Sequence, residues 1–364
     1  MNKYILFLIA FALVCLPAVA IDVTECGILD QDGATYNLIN DISNINGTDC
    51  ILMNADNITL EGNNHIIQLS GNSYGVSFNG LSRQMINETI RNINILGDYN
   101  STQLGFELEY GATNSHFTNI YISETQWGFN VDGELINNVF INMTSNNNSI
   151  CGFYFYLSSN NTFLNMTSNN NTYGLYLNFA ASNNTFTNLI SNNNIYGFYL
   201  HDAVNNTLTN ITSNNNTYGF YLHDAPNNIF YNIDFSTHIK VGFKWETDFF
   251  EMNNNNIYLK TNISAGIHDF DRKIVFWTKD NLTWNDNNAT GGITVYYNLS
   301  ALYVNRNYTV YNNSIAVSTL KTNGAGILPQ FSIDLSNPIT EIKVLAEAEP
   351  APTKKKKHRA IIIT

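Results

Sequence analysis

The chain has 364 residues, a formal net charge of −12 at pH 7 and only 13% charged residues. This acidic balance argues against a nucleic-acid-binding protein, because phosphate contacts require a basic face. Hydrophobic residues make up 44% and aromatic residues 13% of the chain, which is more than a disordered polymer contains. Asparagine accounts for 62 residues, so the polar surface is mostly uncharged.

The first twenty residues have the pattern of a secretory signal. Lys3 precedes an apolar run from Ile5 to Leu16, which is short for a membrane span, and Ala18 and Ala20 form a small-residue cleavage site. We therefore expect residues 1–20 to be a signal peptide. The mature chain then has no transmembrane helix and is secreted or held at the cell surface.

Three cysteines remain after removal of this signal. Cys26 and Cys50 bracket a short polar stretch and are expected to form a disulfide in an oxidising compartment, which leaves Cys151 over. The three lack C-x-x-C spacing, which argues against a metal site.

Nineteen N-x-S/T sequons agree with export. A chain rich in Asn, Ser and Thr also produces sequons by composition alone, so we expect only some to carry glycans. The expected glycosylation sites are Asn46, Asn57, Asn160, Asn183, Asn205, Asn281 and Asn307.

Internal repetition is the main signal for the fold. Segments that begin at Asn137, Asn160, Asn183, Asn205 and Asn227 align with steps of 22 or 23 residues, a period typical of solenoids. Each repeat has two alternating apolar runs, which predict strands, separated by Asn clusters, which predict turns. The predicted fold is all-β: a parallel β-helix of about eight coils, each with about three short strands.

Columns of the repeat predict which residues form the core. Two columns are dominated by phenylalanine: Phe117, Phe140, Phe163, Phe186, Leu208 and Phe230 in one, and Phe106, Phe129, Phe153, Leu175, Phe198, Phe220 and Phe243 in the other. Cys151 aligns with Trp127, Tyr173, Tyr196 and Tyr218, two positions before the second column. Since alternate residues of a strand share a face, this column is also expected to face inward.

Another column places asparagine at the same turn position of successive coils: Asn92, Asn119, Asn142, Asn165, Asn188, Asn210 and Asn232. Stacked amides can hydrogen-bond to each other along the solenoid, and Asn tolerates a left-handed backbone. We therefore predict a structural ladder. Asn142, Asn165 and Asn210 should be poor glycan acceptors despite their sequons.

The Asn-Asn-Thr-Phe-x-Asn, Ser-Asn-Asn-Asn and Tyr-Gly-Phe-Tyr-Leu repeats resemble those of right-handed parallel β-helix proteins, especially NosD-like, Asn-rich surface proteins of archaea. The resemblance covers residues 26–246. It implies that residues 21–56 cap the helix and residues 57–246 form its coils. It also implies a surface-layer, adhesive or carbohydrate-active role, and the family name derives from a copper-handling relative.

The repeat period stops after Trp245. Residues 247–346 alternate as antiparallel strands do, and they resemble the β-sandwich modules appended to archaeal surface proteins. Residues 347–364 are a linker followed by a basic tail, which we expect to be solvated.

Alternation along the repeats also predicts an outward aromatic stripe. Its members are Tyr154, Tyr176, Tyr199, Tyr221, His201 and His223, with neighbouring residues about 4.8 Å apart. Aromatic residues suit strands for packing reasons alone. Exposed rings beside amides and carboxylates also suit the binding of a polysaccharide along the stripe.

Two histidines of this stripe offer a metal alternative. His201–Asp202 and His223–Asp224 recur on adjacent coils, which places the imidazoles about 5 Å apart and makes these four residues candidate zinc or copper ligands. An identical repeat produces the same stacking without any metal. We therefore expect no cofactor.

Glu109 and Asp132 are the candidate catalytic residues, because two stacked carboxylates about 5 Å apart match a retaining glycosidase. A polysaccharide lyase would need a basic residue and calcium-binding carboxylates at mid-solenoid. Between residues 57 and 246 the basic residues lie near the two ends: Arg83, Arg91, Lys240 and Lys244.

The sequence thus favours a secreted, glycosylated scaffold or adhesin of the cell surface that binds polysaccharide along the stripe. Its expected partners are extracellular glycans or surface-layer proteins, and not nucleic acid. A carbohydrate-active enzyme, a glycoside hydrolase rather than a lyase, is the first alternative. NosD-like copper handling is the second.

Overall fold

The computed structural model describes residues 20–44, 49–78, 83–99, 102–223, 225, 227–235, 239–242, 249–254, 257–263, 269–288, 292–335 and 339–348. Several predicted features lie outside these residues: the signal peptide up to residue 19, Asn46, Asp224, Phe243, Lys244, Trp245 and the basic tail. The described residues form β-strands and contain no helix. They include a parallel β-solenoid of about eight turns, which confirms the predicted fold class.

The chain divides into two compact units, residues 1–171 and 172–364. Each contains solenoid coils. No helix in the described ranges has the length and apolarity to span a lipid bilayer.

The described residues of the first unit form nineteen strands. They are β1 (Ala20–Val23), β2 (Gly27–Leu29), β3 (Thr35–Leu38), β4 (Ile42–Asn44), β5 (Asp49–Met53), β6 (Thr59–Glu61), β7 (Ile66–Leu69), β8 (Tyr74–Ser77), β9 (Met85–Ile86), β10 (Thr89–Leu96), β11 (Leu104–Leu108), β12 (Ala112–Thr113), β13 (His116–Ser123), β14 (Trp127–Val131), β15 (Leu135–Ile136), β16 (Val139–Asn146), β17 (Cys151–Tyr156), β18 (Ser158–Ser159) and β19 (Thr162–Asn169).

These strands form three parallel sheets, as expected when each coil contributes one strand to each sheet. Sheet A has the order β1-β3-β6-β10-β13-β16-β19, with β7 also paired to β10 and β4 paired to β7; sheet B has β2-β5-β8-β11-β14-β17; sheet C has β9-β12-β15-β18. The registers follow the repeat columns: Phe117 pairs with Phe140 in sheet A, and Phe106 pairs with Phe129 in sheet B.

The described residues of the second unit form sixteen strands. They are β20 (Tyr173–Asn178), β21 (Thr185–Asn192), β22 (Tyr196–His201), β23 (Thr207–Ser213), β24 (Tyr218–His223), β25 (Ile229–Phe235), β26 (Ile239–Gly242), β27 (Phe249–Asn254), β28 (Ile257–Ile263), β29 (Asp269–Trp277), β30 (Asn281–Asn288), β31 (Ile293–Ser300), β32 (Asn307–Asn312), β33 (Ile315–Lys321), β34 (Phe331–Leu335) and β35 (Thr340–Ala346).

Strand direction changes within this unit. Sheet D has the order β21-β23-β25-β27-β28-β31-β34, and sheet E has β20-β22-β24-β26-β29-β30-β35-β32-β33. Pairing is parallel up to β26 and β27 and antiparallel from β28 and β29 onward. The antiparallel part is consistent with a small β-sandwich.

Stacked phenylalanines fill the solenoid interior, as the repeat columns predicted. In the first unit the ring centroids of Phe117 and Phe140 lie 4.6 Å apart, and Phe117 meets Phe129 edge to face at 5.7 Å. In the second unit Phe198 and Phe220 stack at 5.0 Å. These side chains are fully buried, so the two columns together exclude water from the coils.

The column of Cys151 does not face inward as a whole, and this part of the prediction is wrong. Cys151 is fully buried, but Tyr173, Tyr196 and Tyr218 are half-exposed. The next residue in each strand is a glycine: a Cβ on Gly174 would overlap the Ser191 hydroxyl and approach a backbone carbonyl. The glycine itself therefore occupies the inward position. Strict alternation between inward and outward residues does not hold across it, so counting back two residues from the phenylalanine gives the wrong face for these tyrosines.

The predicted ladder of turn asparagines is present. In the first unit Nδ2 of Asn142 donates to Oδ1 of Asn119 at 2.9 Å, and Asn165 donates to Asn142 at 3.0 Å. In the second unit Asn210 donates to Asn188 at 2.9 Å. All five have a positive φ between 53° and 58°, so the ladder uses both the side chain and the left-handed backbone of Asn.

Buried ladders of asparagine, which the sequence did not reveal, run beside it. The first unit has Asn138 and Asn161 in such a ladder, and the second unit has Asn184, Asn206 and Asn228, each at most 1% exposed. Oδ1 of Asn206 accepts from the backbone and side-chain nitrogens of Asn184, both at 3.0 Å. Each amide thereby satisfies backbone groups at a buried corner, where water cannot reach.

The predicted disulfide joins Cys26 to Cys50, with Cα atoms 4.3 Å apart. Cys26 lies just before β2 and Cys50 within β5, two neighbouring strands of sheet B. The bond therefore ties the first two strands of that sheet together.

A buried ion pair lies in the antiparallel part of the second unit. Arg272 donates to both carboxylate oxygens of Asp286, at 2.7 and 2.6 Å. Tyr297 donates to the same carboxylate at 2.6 Å and Trp284 at 3.1 Å. All four side chains are at most 2% exposed, so this network orients the largest rings of the sandwich core.

Candidate functional site

The outer face of sheet B in the first unit bears a pocket of about 550 Å³, a size typical of ligand sites. Glu109 and Asp132, the predicted carboxylate pair, both line it. They directly follow β11 and β14, whose last residues, Leu108 and Val131, are paired. Strand pairing thus brings the two predicted carboxylates into one pocket.

Glu107 is a third carboxyl group of this pocket and was not among the predicted catalytic residues. Its side chain is only 6% exposed. Nδ2 of Asn130 donates to Oε2 of Glu107 at 2.8 Å and to Oδ2 of Asp132 at 3.1 Å. One amide therefore links a buried carboxyl group to an exposed one.

Burial is the main cause that raises the pKa of Glu107 to about 7. The negative charges of Asp132, Glu109 and Asp49 act in the same direction. The hydrogen bond from Asn130 lowers the pKa and is outweighed. A carboxyl group in this state holds its proton up to neutral pH, where ordinary carboxyl groups are ionised.

Aromatic side chains form part of the pocket wall. Trp127 and Tyr154 line it and meet edge to face, with centroids 5.3 Å apart. Tyr74 lines it as well, and burial and the nearby charge of Glu107 raise the pKa of its phenol. The pocket therefore combines rings, which suit the apolar face of a sugar, with carboxyl groups, which bind hydroxyls.

Two rows of tyrosine lie on the outer face of sheet E in the second unit. The predicted row has Tyr176 and Tyr199 at 4.6 Å and Tyr199 and Tyr221 at 4.9 Å between ring centroids, as expected for adjacent strands. A second row, assigned inward from the sequence, has Tyr173, Tyr196 and Tyr218 at 4.9 and 5.2 Å.

The two tyrosine rows contact each other, so the rings do not stand alone in water. Tyr199 packs against Tyr173 at 5.6 Å and against Tyr196 at 5.5 Å. Burial, followed by the nearby phenol groups of Tyr221, Tyr173 and Tyr196, raises the pKa of Tyr199 to about 12. The ring faces largely meet neighbouring rings, so a ligand on this surface would contact mainly ring edges.

The two histidines of the stripe stack as predicted, with ring centroids of His201 and His223 4.6 Å apart. Nε2 of His201 lies 3.8 Å from Oδ2 of Asp202. Within the described residues, no three or more His, Cys, Asp or Glu side chains are arranged to hold a metal ion. Asp224, the fourth candidate ligand, lies outside the described residues.

Four of the predicted glycosylation sites occupy exposed turn positions with a positive φ: Asn57, Asn160, Asn183 and Asn205. Nδ2 is the atom that would carry the glycan, and in two of the predicted sites it already donates a hydrogen bond: Asn57 donates to Asp32 at 2.8 Å, and Asn307 donates to Glu347 at 2.9 Å. Asn281 is half-buried. Which of them carry glycans stays a prediction.

Comparison with known proteins identifies the fold. The family model described as periplasmic copper-binding protein (NosD) matches residues 87–248. No curated protein shows a significant match to the sequence.

Two solved structures resemble the chain at low sequence identity. The enzymatically active domain of tailspike protein 2 from bacteriophage CBA120 is 7% identical, with a TM-score of 0.52 over 90% of this chain and 74% of that one. The A-module of mannuronan C-5 epimerase AlgE4 from Azotobacter vinelandii is 15% identical, with a TM-score of 0.41 over 57% of this chain and 68% of that one. The family match and the solenoid confirm the resemblance inferred from the repeats: this chain contains a NosD-like parallel β-helix.

Proposed function

We propose that this protein is an extracellular or periplasmic scaffold that binds polysaccharide along the tyrosine rows of its second unit. The observation that carries the proposal is the stacking of six tyrosines, three per row, on the outer face of sheet E. The disulfide between Cys26 and Cys50 supports an oxidising compartment. So does the periplasmic description of the matching family.

The spacing of the rows supports a polymer rather than a small ligand. Centroids along the predicted row lie 4.6 and 4.9 Å apart, close to the length of one sugar ring. A chain that follows the row meets a hydroxyl group and a ring edge at each sugar. Single contacts of this kind are weak, about 0.5–1.5 kcal/mol each, so binding requires several sugars at once.

The test replaces Tyr176, Tyr199 and Tyr221 together by Phe, which keeps the stacked rings and removes three hydroxyl groups. Affinity electrophoresis of the full chain in gels containing neutral, acidic or amino-sugar polysaccharides measures binding. We expect the triple variant to bind at least about tenfold more weakly, with an unchanged unfolding midpoint.

Tyr296→Phe is the matched control, because Tyr296 is 40% exposed and lies on sheet D. Unchanged binding by the triple variant, or an equal loss with the control, would refute the role of the rows.

Copper handling is the second candidate, supported by the family description and by the His201–His223 stack. The absence of a three-ligand group among the described residues counts against it. A copper titration of the wild type and of a His201→Gln, His223→Gln double variant tests it. Tight binding that the double variant loses would favour copper over polysaccharide.

A further inference from the structure

The pocket of the first unit has the parts of a reaction site as well as of a binding site. Two of its lining side chains, Glu107 and Asn130, are each 6% exposed and hydrogen-bonded to each other. Beside them, the Cα of Ser77 pairs with that of Glu107. The Ser77 hydroxyl is fully buried and has no hydrogen-bond partner among the described residues. A buried hydroxyl without a partner is costly. Because Ser77 does not itself line the pocket, a bound water is the group that can satisfy its hydroxyl.

The two linked carboxyl groups have different environments. Glu107 is buried and Asp132 is exposed. A buried acid that keeps its proton near neutral pH, next to a second carboxyl group that reaches solvent, has the parts of an acid and nucleophile pair. Because Asn130 already donates to Oε2 of Glu107, the remaining oxygen is the one that can carry the proton.

The shared amide limits the distance between the two groups. Oε2 of Glu107 and Oδ2 of Asp132 accept from one nitrogen at 2.8 and 3.1 Å, so their separation cannot exceed the sum of these distances. Retaining glycosidases hold their carboxyl groups about 5–5.5 Å apart, whereas inverting enzymes need about 6.5–9.5 Å to admit a water. The linked pair fits the retaining arrangement.

The charge of the pocket selects among substrates. Glu107, Glu109 and Asp132 line it, and the lining includes no Lys or Arg from the described part of the chain. Polyuronates and sulfated glycans would meet like charge there. Neutral and amino sugars would not, and the indole of Trp127 provides an apolar surface for such a ring.

We propose that this pocket hydrolyses a glycosidic bond of a neutral or amino-sugar polysaccharide, with Glu107 as the acid and Asp132 as the nucleophile. This rests on the proposed function in taking a polysaccharide as ligand, but it uses residues of the other unit.

The reaction has two steps. Glu107 gives its proton to the glycosidic oxygen while the bond from that oxygen to C1 breaks and the Asp132 carboxylate bonds to C1. Water then attacks C1, Glu107 takes the proton of that water, and the ester to Asp132 breaks. Both carboxyl groups return to their first state, and one water is consumed for each bond cleaved.

The test measures reducing ends released by the full chain from neutral β-glucan, mannan and chitosan, with short oligosaccharides of each as soluble substrates. We expect release by the wild type to fall above about pH 7, as Glu107 loses its proton. Glu107→Gln, which preserves the acceptor for Asn130, should reduce release at least about 100-fold.

Glu134→Gln is the control, because Glu134 is exposed in the same unit and does not line the pocket. It should leave release unchanged. Addition of azide to Asp132→Gly should yield a glycosyl azide, because azide then attacks C1 in place of the carboxylate.

The same variants distinguish hydrolysis in this pocket from polysaccharide binding on the tyrosine rows. Glu107→Gln should retain polysaccharide binding in affinity gels, whereas the triple Tyr→Phe variant should retain cleavage of the short oligosaccharides. Three results would overturn the proposal: no release from any of the three polymers between pH 4 and 8, release unaffected by Glu107→Gln, or a product with inverted anomeric configuration by proton NMR.

Discussion

The residue that follows the inward phenylalanine of sheet B is Glu107 in one coil of the first unit and Asn130 in the next. The equivalent position of sheet E in the second unit holds Tyr176, Tyr199 and Tyr221. The inward neighbours barely change, since they are phenylalanine, leucine or valine in both units. One backbone repeat therefore carries two surfaces with different chemistry: linked carboxyl groups in one unit and stacked phenols in the other.

This comparison separates residues that build the coil from residues that act on a ligand. Inward columns must match from coil to coil, because each ring or amide packs on the one before it. Outward columns are free to differ. Variants in inward columns should thus change stability, and variants in outward columns should change binding or pH dependence.

The largest expected effect comes from the buried asparagine ladder. Asn206→Ala removes the acceptor of both nitrogens of Asn184 and the donor to the carbonyl of Ala181. Because these groups become unpaired inside the protein, we expect a loss of about 4 kcal/mol in the free energy of unfolding. Denaturant titration followed by circular dichroism measures it.

The exposed turn ladder supplies the control for that variant. Asn210→Ala removes the amide bond to Asn188 at an exposed position and places alanine at a positive φ, so it should cost about 2 kcal/mol. Equal losses for the two variants would contradict the distinction between buried and turn ladders.

A smaller effect is expected from Glu107, and it depends on pH. Its folded pKa of about 7 lies above its ordinary value of 4.5, so the folded state holds a proton that the unfolded chain releases. The stabilisation is complete below about pH 4.5 and is lost as the pH rises to about 7. It amounts to at most about 3 kcal/mol.

Glu107→Gln should remove the part of the stability loss with rising pH that Glu107 causes. The unfolding midpoint, measured across pH 4–8, reports the difference. Glu88, whose pKa burial raises to about 9, adds a decline that the variant keeps. If wild type and Glu107→Gln lose stability in parallel over this range, Glu107 is not protonated in the folded pocket.

The smallest effect concerns Cys151. Burial raises the pKa of its thiol well above the ordinary value, and the side chain is fully buried, so it stays protonated and out of contact with solvent. We expect no reaction with iodoacetamide in the native state and full reaction in denaturant, as followed by mass spectrometry. Modification of the native protein would place Cys151 at an accessible surface.

Most of the fold was predictable because the core residues recur with a fixed period. The phenylalanine columns and the turn ladder of Asn119, Asn142 and Asn165 are located correctly from spacing alone. The buried ladder escaped prediction because Asn at a turn looks the same in sequence whether it faces water or a corner of the core.

The candidate sites were predictable only in part. Spacing brought Glu109 and Asp132 together, and it placed Tyr176, Tyr199 and Tyr221 in one row. Spacing missed Glu107, because the role of this side chain depends on its burial and on the hydrogen bond that it accepts from the next coil. It also assigned Trp127 inward, whereas Gly128 takes the buried position and Trp127 stays partly exposed.

The central claim is that polysaccharide binds on the tyrosine rows, and ring resonances of ¹³C-labelled tyrosine test it most directly. Single Tyr→Phe variants assign the signals, and a polysaccharide that binds in affinity gels is then titrated into the full chain. The account predicts shifts for Tyr176, Tyr199 and Tyr221 and none for Tyr296 on sheet D. Binding that shifts Tyr296 or the tyrosines of the first unit, and leaves the three row tyrosines unchanged, would contradict it.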